Sequence, residues 1–170
     1  MKKVYSLLPI YNKDSKILIL GSIPSITSRN KNFYYSHPNN RFWKIMEYLF
    51  NTNLFNVQDK IAFLLNNNIA LWDTIKECEI YKSKDSSIRN VKVNDIKSIL
   101  SKTNIKEIYV TGITALNIYN KSIKNSTNID AIFLPCPSSA NASYSLEKLI
   151  NIYTIILNNL TIKEHYNNGG

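Results

Sequence analysis

Cysteine, histidine and acidic residues are all scarce in this chain of 170 residues, which carries two Cys, two His and 12 Asp+Glu against 21 Lys+Arg. Cys78 and Cys136 stand far apart with no CxxC spacing, and only His37 and His165 are available to join them as soft ligands. A zinc site or an iron–sulfur cluster needs three or four such ligands at short spacings, so neither is expected, and both thiols read as reduced small side chains. No apolar run approaches the roughly 20 residues that a membrane span requires. The opening lysines lead into Val4, Tyr5 and a polar break rather than a signal-peptide core, so the expected setting is intracellular and cytoplasmic, with no membrane partner.

The shortage of acid leaves a formal net charge of +9. An excess of that size favours a polyanionic partner, nucleic acid first and an acidic membrane surface second. The competing account is that the lysines are solvated decoration in a chain rich in Asn, Ile and Lys, with Asn-dense patches such as residues 66–68. At 44% hydrophobic and 19% charged, the chain suits one core, and a single domain over residues 1–165 is expected with a polar tail, 166–170, that frays. Nothing calls for more than a monomer.

Apolar runs alternate with helical periodicity along the chain. Residues 16–20, KILIL, read as a buried strand closed by Gly21. Phe42, Ile45, Met46, Leu49 and Phe50 then fall on one helical face. A second helix is predicted over Gln58–Asn68, with Ile61, Leu64 and Leu65 inward, followed by a strand over Ile69–Trp72 that ends at Asp73. Residues 74–91 read as a long polar connection lying over the site. Asn94 is the predicted cap of a helix presenting Ile96, Ile99 and Leu100. Glu107–Thr111 and Ile129–Leu134 are the third and fourth strands, with a helix carrying Ala115, Leu116 and Tyr119 between them. The last helix shows Leu146, Leu149, Ile150, Tyr153, Ile156, Leu157 and Leu160 at the right spacing. Short strands alternating with helices imply right-handed crossovers, so the expected fold is α/β: three layers, α/β/α, around a four-stranded, mainly parallel central sheet. That architecture gathers the Gly21 loop, Asp73, Gly112 and the loop from Pro135 to Ser145 at the carboxyl edge of the sheet.

Three motifs sit at that edge: Gly21-Ser22-Ile23-Pro24-Ser25, then YYSHPNNRFW over residues 34–43, then a late loop reading PCPSSANAS from Pro135. Together with SLEKL they resemble the uracil-DNA glycosylase superfamily over about Leu8 to Leu160. The similarity is strongest to its hypoxanthine-DNA (deoxyinosine) glycosylase branch, whose pattern is a GSxP loop, YYxHPxNxFW and SxANA; LWD at residues 71–73 and DSSI at 85–88 fit that branch too. HPNNRFWK is also similar to the mismatch-specific uracil and thymine glycosylases, but those carry a water-positioning Asn where this chain has Ile23. Ile23 can neither orient water nor accept a proton.

The resemblance therefore implies a monofunctional glycosylase with Asn40 as the catalytic residue, and no metal or organic cofactor. Its substrate would be a deaminated base, hypoxanthine before uracil, flipped out of double- or single-stranded DNA. Tyr35 is the expected stacking platform. Backbone groups of Gly21, Ser22 and Ile23, with His37, are expected at the base, and Arg41, Ser138, Ser139 and Asn141 at the DNA backbone. No lysine stands out as a Schiff-base nucleophile, so strand-cleaving lyase chemistry is not expected. Asp73 and Asp85 are the carboxylates with a claim on the site, although a surface or capping role is the expectation for both. The rivals are a uracil glycosylase, a non-catalytic nucleic-acid-binding domain, and a nucleoside hydrolase, the last disfavoured because a charge of +9 serves a polymer better than a small substrate.

Overall fold

The computed structural model describes residues 1–82 and 84–168, with side chains as far as position 161. Four strands form the central sheet: β2 (Ile17–Gly21), β3 (Ile69–Asp73), β6 (Glu107–Thr111) and β7 (Ala131–Leu134). They lie in the order β3-β2-β6-β7 and every neighbouring pair is parallel. A parallel sheet hides both faces, which is why β2 is apolar at each of Ile17 to Leu20 and all four are fully buried.

The alternation of a strand sends those side chains to two cores. Ile17 and Ile19 pack with residues of α2 (Phe42–Phe50), α3 (Val57–Asn66) and α7 (Leu146–Asn168). Leu18 and Leu20 pack with residues of α4 (Ile96–Ser101) and α5 (Ile113–Ser122). The expected three-layer α/β/α arrangement is thus the observed one. Burying a Leu or Ile side chain is worth about 1.5–3 kcal/mol, so β2 alone anchors both cores. In α3 the inward residues are Phe63 and Leu64, with Leu65 only half-buried. The frayed tail expected over 166–170 lies outside the described side chains, and so does His165.

Residues 74–91 are not the open connection that their polarity suggests. β4 (Ile75–Ile80) and β5 (Arg89–Val93) join β1 (Lys2–Tyr5) in an antiparallel sheet of order β1-β4-β5, with a 3-10 turn at Asp85–Ser87 between β4 and β5. Lys3 and Lys92 both pair with Glu77 across this sheet, at 3.6 and 2.6 Å. Cross-strand charge pairs let charged strands associate, and irregular register between β4 and β5 breaks their alternation. Among the described residues of the segment, those at its turn end, Ile80, Lys84 and Asp85, border the cleft described below.

Asn94 does not cap α4. Asp95 does, accepting from the Ser98 amide at 3.1 Å. Asn94 is buried and donates to the carbonyls of Asp73 (2.8 Å) and Ile75 (3.3 Å), clamping the passage from β3 to β4. Two short helices, α1 (Ile26–Lys31) and α6 (Lys124–Thr127), carry no periodic signal long enough to read from sequence.

Candidate active site

A cleft of about 870 Å³ opens at the carboxyl edge of the central sheet. Strand ends make its floor. Gly21 of β2 lies opposite Asp73 of β3, and Thr111 closes β6 beside them. A Cβ placed on Gly21 would sit 2.7 Å from Asp73 Oδ1 and 3.7 Å from the Tyr35 hydroxyl, so only glycine leaves the room these two groups occupy.

The first motif is stitched to the second through α1. Ser25 caps this helix by accepting from the Ser28 amide at 3.2 Å, and Ser28 Oγ accepts from the Ser36 amide at 3.2 Å. The carbonyls of Gly21 and Ser22 accept from the amides of Thr74 (2.8 Å) and Ile75 (3.0 Å), so β4 braces the loop from the other side. Ile23 lines the cleft and also packs on the apolar cluster of Val4, Ile75, Cys78 and Ile80. An apolar residue therefore has a packing role here, where an amide would have none.

Among the aromatics, Phe33 and Tyr34 belong to the core, and so do Phe42 and Trp43. Tyr35 is different. It is half-buried, lines the cleft and stacks on Phe42 with ring centroids 4.0 Å apart and planes 16° apart. Its backbone adopts φ of 52°, a left-handed conformation that a bulky residue takes only when its surroundings impose it. The stack on Phe42 below holds the ring in place. Burial raises the Tyr35 phenol well above its ordinary range, so it stays neutral.

His37 and Asn40 occupy the rim. His37 is exposed, and its Nδ1 accepts from the Asn39 amide at 3.1 Å, which assigns the proton of the neutral ring to Nε2. Asn40 Oδ1 accepts from the Phe42 amide at 2.9 Å, at the start of α2. An amide oxygen has two lone pairs, so the bond to Phe42 fixes Oδ1 and leaves it a second acceptor site, and Asn40 lines the cleft.

Arg41 was expected at phosphates, but its guanidinium turns into the late loop. It donates to the carbonyls of Pro137 (3.2 Å), Ser138 (2.7 Å), Asn141 (3.1 Å) and Tyr144. The five N–H donors of an arginine fork are thereby largely committed, and the side chain shapes the loop from within. Asn141 adds a hydrogen bond to the Cys136 carbonyl at 3.0 Å, while Ser138 Oγ accepts from the Ala140 amide at 3.2 Å. Ser139 is exposed at the lip, and Ser145 caps α7.

Asp73 departs furthest from expectation. Far from the surface, it is 5% exposed on the cleft floor, and its Oδ2 is buried without a hydrogen-bond partner. Burial pushes its carboxyl up to about 7. Asp85, by contrast, is exposed on the cleft margin. Among the described residues no group of three or more His, Cys, Asp or Glu is placed to hold a metal ion, and no helix is long and apolar enough to cross a membrane. Position in sequence shows Asp73 at a strand end; nothing in the sequence shows that the carboxyl is enclosed there.

A polar floor, an aromatic shelf and a small-residue lip thus line one cleft. The family profile described as the Uracil DNA glycosylase superfamily matches residues 8–160. The chain belongs to the uracil DNA glycosylase superfamily. Two relatives described as hypoxanthine DNA glycosylases share its sequence in part. That of Methanosarcina barkeri (strain Fusaro) is 34% identical over 88 residues, 51% of this chain and 56% of the relative. That of Methanosarcina acetivorans is 35% identical over 92 residues, 53% of this chain and 58% of the relative. The chain thus spans little more than half the length of these curated relatives. Its similarity to a solution NMR structure of a candidate uracil DNA glycosylase from M. acetivorans is more extensive: TM-score 0.77 at 26% identity, covering 90% of this chain and 98% of the other. The superfamily match takes in all three motifs around the cleft.

Proposed function

We propose that this protein is a monofunctional DNA glycosylase that hydrolyses the N-glycosidic bond of a deaminated base, hypoxanthine before uracil, and so starts base excision repair as a monomer. The observation that carries this reading is the meeting of the three superfamily motifs at one cleft whose floor is polar and whose shelf is the strained, stacked Tyr35. The hypoxanthine preference is supported by the two partial relatives described with that activity.

The chemistry follows from depth. A glycosidic bond inside a duplex is out of reach, so the nucleotide must swing out and enter the cleft base first. The ring lies against Tyr35, its far edge reaches the floor at Gly21, Ser22 and Ile23, and the sugar remains near the rim. There Asn40 Oδ1, fixed by the Phe42 amide, aligns a water on the anomeric carbon. An amide is no general base, so the bond must break largely by itself, through an oxocarbenium-like sugar with the base leaving. Hydrogen bonds to the departing base and the anionic DNA backbone near the developing positive charge lower that barrier. His37, Ser138, Ser139 and Asn141 meet the DNA from the rim, while Arg41 acts on it through the loop it organises.

A uracil-first reading is supported by HPNNRFWK and by the description of the NMR neighbour. One assay separates these: duplexes and single strands containing deoxyinosine, deoxyuridine or deoxyxanthosine are incubated with the protein and treated with alkali. Cleavage greatest at deoxyinosine is expected. Greatest cleavage at deoxyuridine transfers the preference to uracil, and cleavage at blank level for all three sinks the enzyme.

A further inference from the structure

We propose that Asp73 is the residue that recognises deamination: its carboxyl, carrying a proton, donates a hydrogen bond to the carbonyl oxygen that deamination installs on the base. The inference rests on the glycosylase reading above and adds to it a specificity residue and a proton requirement.

Deamination exchanges one group on the base edge. An exocyclic amino group, a donor, becomes a carbonyl, an acceptor, whether adenine becomes hypoxanthine or cytosine becomes uracil. A pocket that tells the two apart must offer a donor where the undamaged base also has one. An ionised carboxylate only accepts, so it would welcome the amino group and repel the carbonyl. A neutral carboxyl gains one O–H, and with that O–H turned to the base it is the donor that the new carbonyl needs.

Three features of the floor suit the neutral form. First, Asp73 lies at the carboxyl end of β3, directly opposite Gly21, and Oδ1 occupies the space a Gly21 side chain would fill. Asp73 and Asn40 both line the cleft, and on the glycosylase reading the leading edge of an inserted base meets Asp73 while its sugar stays beside Asn40. Second, Oδ2 is buried without a partner, and a buried charge lacking hydrogen bonds is costly. Third, burial is the cause that moves the Asp73 carboxyl up to about 7, and among the described residues no cation offsets it. The titratable groups coupled to it are the Tyr34 and Tyr35 phenols from the segment before α2, both held neutral by their own burial. Behind Tyr35 lies the Cys136 thiol of the late loop, also pushed up by burial. From β2, β6 and the β3–β4 junction come Gly21, Thr111 and Thr74, none of which titrates. The backbone is held from behind, since Asn94 binds the Asp73 carbonyl.

The test uses the whole chain and its isosteric variant Asp73→Asn. Single-turnover release of hypoxanthine from a deoxyinosine duplex is followed from pH 5.5 to 9. Wild-type rates should be level below about pH 7 and fall roughly tenfold per unit above it, as expected when one proton is required. Asp73→Asn should be roughly tenfold slower at pH 6 but lose the alkaline fall, because its amide donates at every pH. In parallel, binding is measured to a duplex carrying 2′-fluorinated deoxyinosine, which resists hydrolysis, and to one carrying the matching deoxyadenosine. The wild type should prefer the inosine duplex below pH 7 and lose that preference above it.

Wild-type rates that rise through pH 7, with Asp73→Asn inactive throughout, would identify Asp73 as the water-activating base and overturn the proposal. An alkaline fall retained in Asp73→Asn would place the titrating group elsewhere. A wild type that releases no base yet shows the pH-dependent preference would defeat the glycosylase reading and leave base recognition by Asp73 standing. Absence of any preference at any pH would remove the recognition role.

Discussion

At the floor of the cleft Gly21, Asp73 and Thr111 end three adjacent strands, while at its rim His37, Asn40 and Ser139 ride on loops. The floor takes its geometry from the parallel ladder and its electrostatics from burial. The rim takes both from local hydrogen bonds: Asn39 to His37, Asn40 to Phe42, and the carbonyls gathered by Arg41. The difference assigns two kinds of work. On the proposed function, a buried, rigid floor suits reading the base, because hydrogen bonds made there do not compete with water. On the same reading, the exposed rim meets the sugar and its phosphates, with small groups held by the backbone.

The sharpest way to break that division is Asn40→Ala. Turnover on deoxyinosine DNA should drop by about 10²–10³, the range for losing one oriented polar group near the transition state. Salt-dependent DNA binding should change little, and stability should fall only by the ~1 kcal/mol of the lost hydrogen bond to the Phe42 amide; a turnover loss no larger than the lost folded fraction explains would make Asn40 a cap and nothing more.

A second measurement tests the floor without any substrate. Asp73 has a folded pKa of about 7 against an ordinary 3.8, so ionising it costs folding free energy. The sign follows from linkage: its relative stability is complete below about pH 4, is lost as pH rises to about 7, and stays lost above. Asp73→Asn should therefore be more stable than the wild type at pH 8, by on the order of 4 kcal/mol, and the gap should shrink toward pH 4. Denaturant unfolding at pH 4.5 and 8 measures it, and an equal gap at both pH values would mean that Asp73 is not enclosed as described.

The smallest of the three effects concerns the loop behind the rim. Arg41→Ala strips hydrogen bonds from several loop carbonyls and should lower stability by about 2 kcal/mol, with excision down roughly tenfold. Arg41→Lys should recover little, since an ammonium cannot span four carbonyls as a planar fork does. An Arg41→Ala protein with an altered salt slope of DNA binding but an unchanged Tm would return Arg41 to the phosphates.

Much of the central sheet can be read from the chain because burial on both faces demands an uninterrupted apolar run, as in Ile17 to Leu20. The second sheet cannot. β1 and β5 expose most of their residues, β4 carries charge at Lys76, Glu77 and Glu79, and irregular register erases the period of two. Asn94 and Asp95 show a finer limit. Both are good cap residues, and only the position of the β3–β4 junction decides that Asn94 is drawn to it while Asp95 caps α4.

Membership of a three-layer α/β fold, the placing of three motifs at one sheet edge and the loss of the amide at Ile23 were determined by the chain alone, because they depend on residue type and spacing. The reassignment of Arg41 from phosphate to loop, the left-handed backbone beneath Tyr35 and the enclosure of Asp73 were decided only in three dimensions. Each of these depends on which distant carbonyl, ring or strand end comes to lie alongside. The charge state of a carboxyl in particular is set by the water removed from around it, and that removal is a property of the folded cleft.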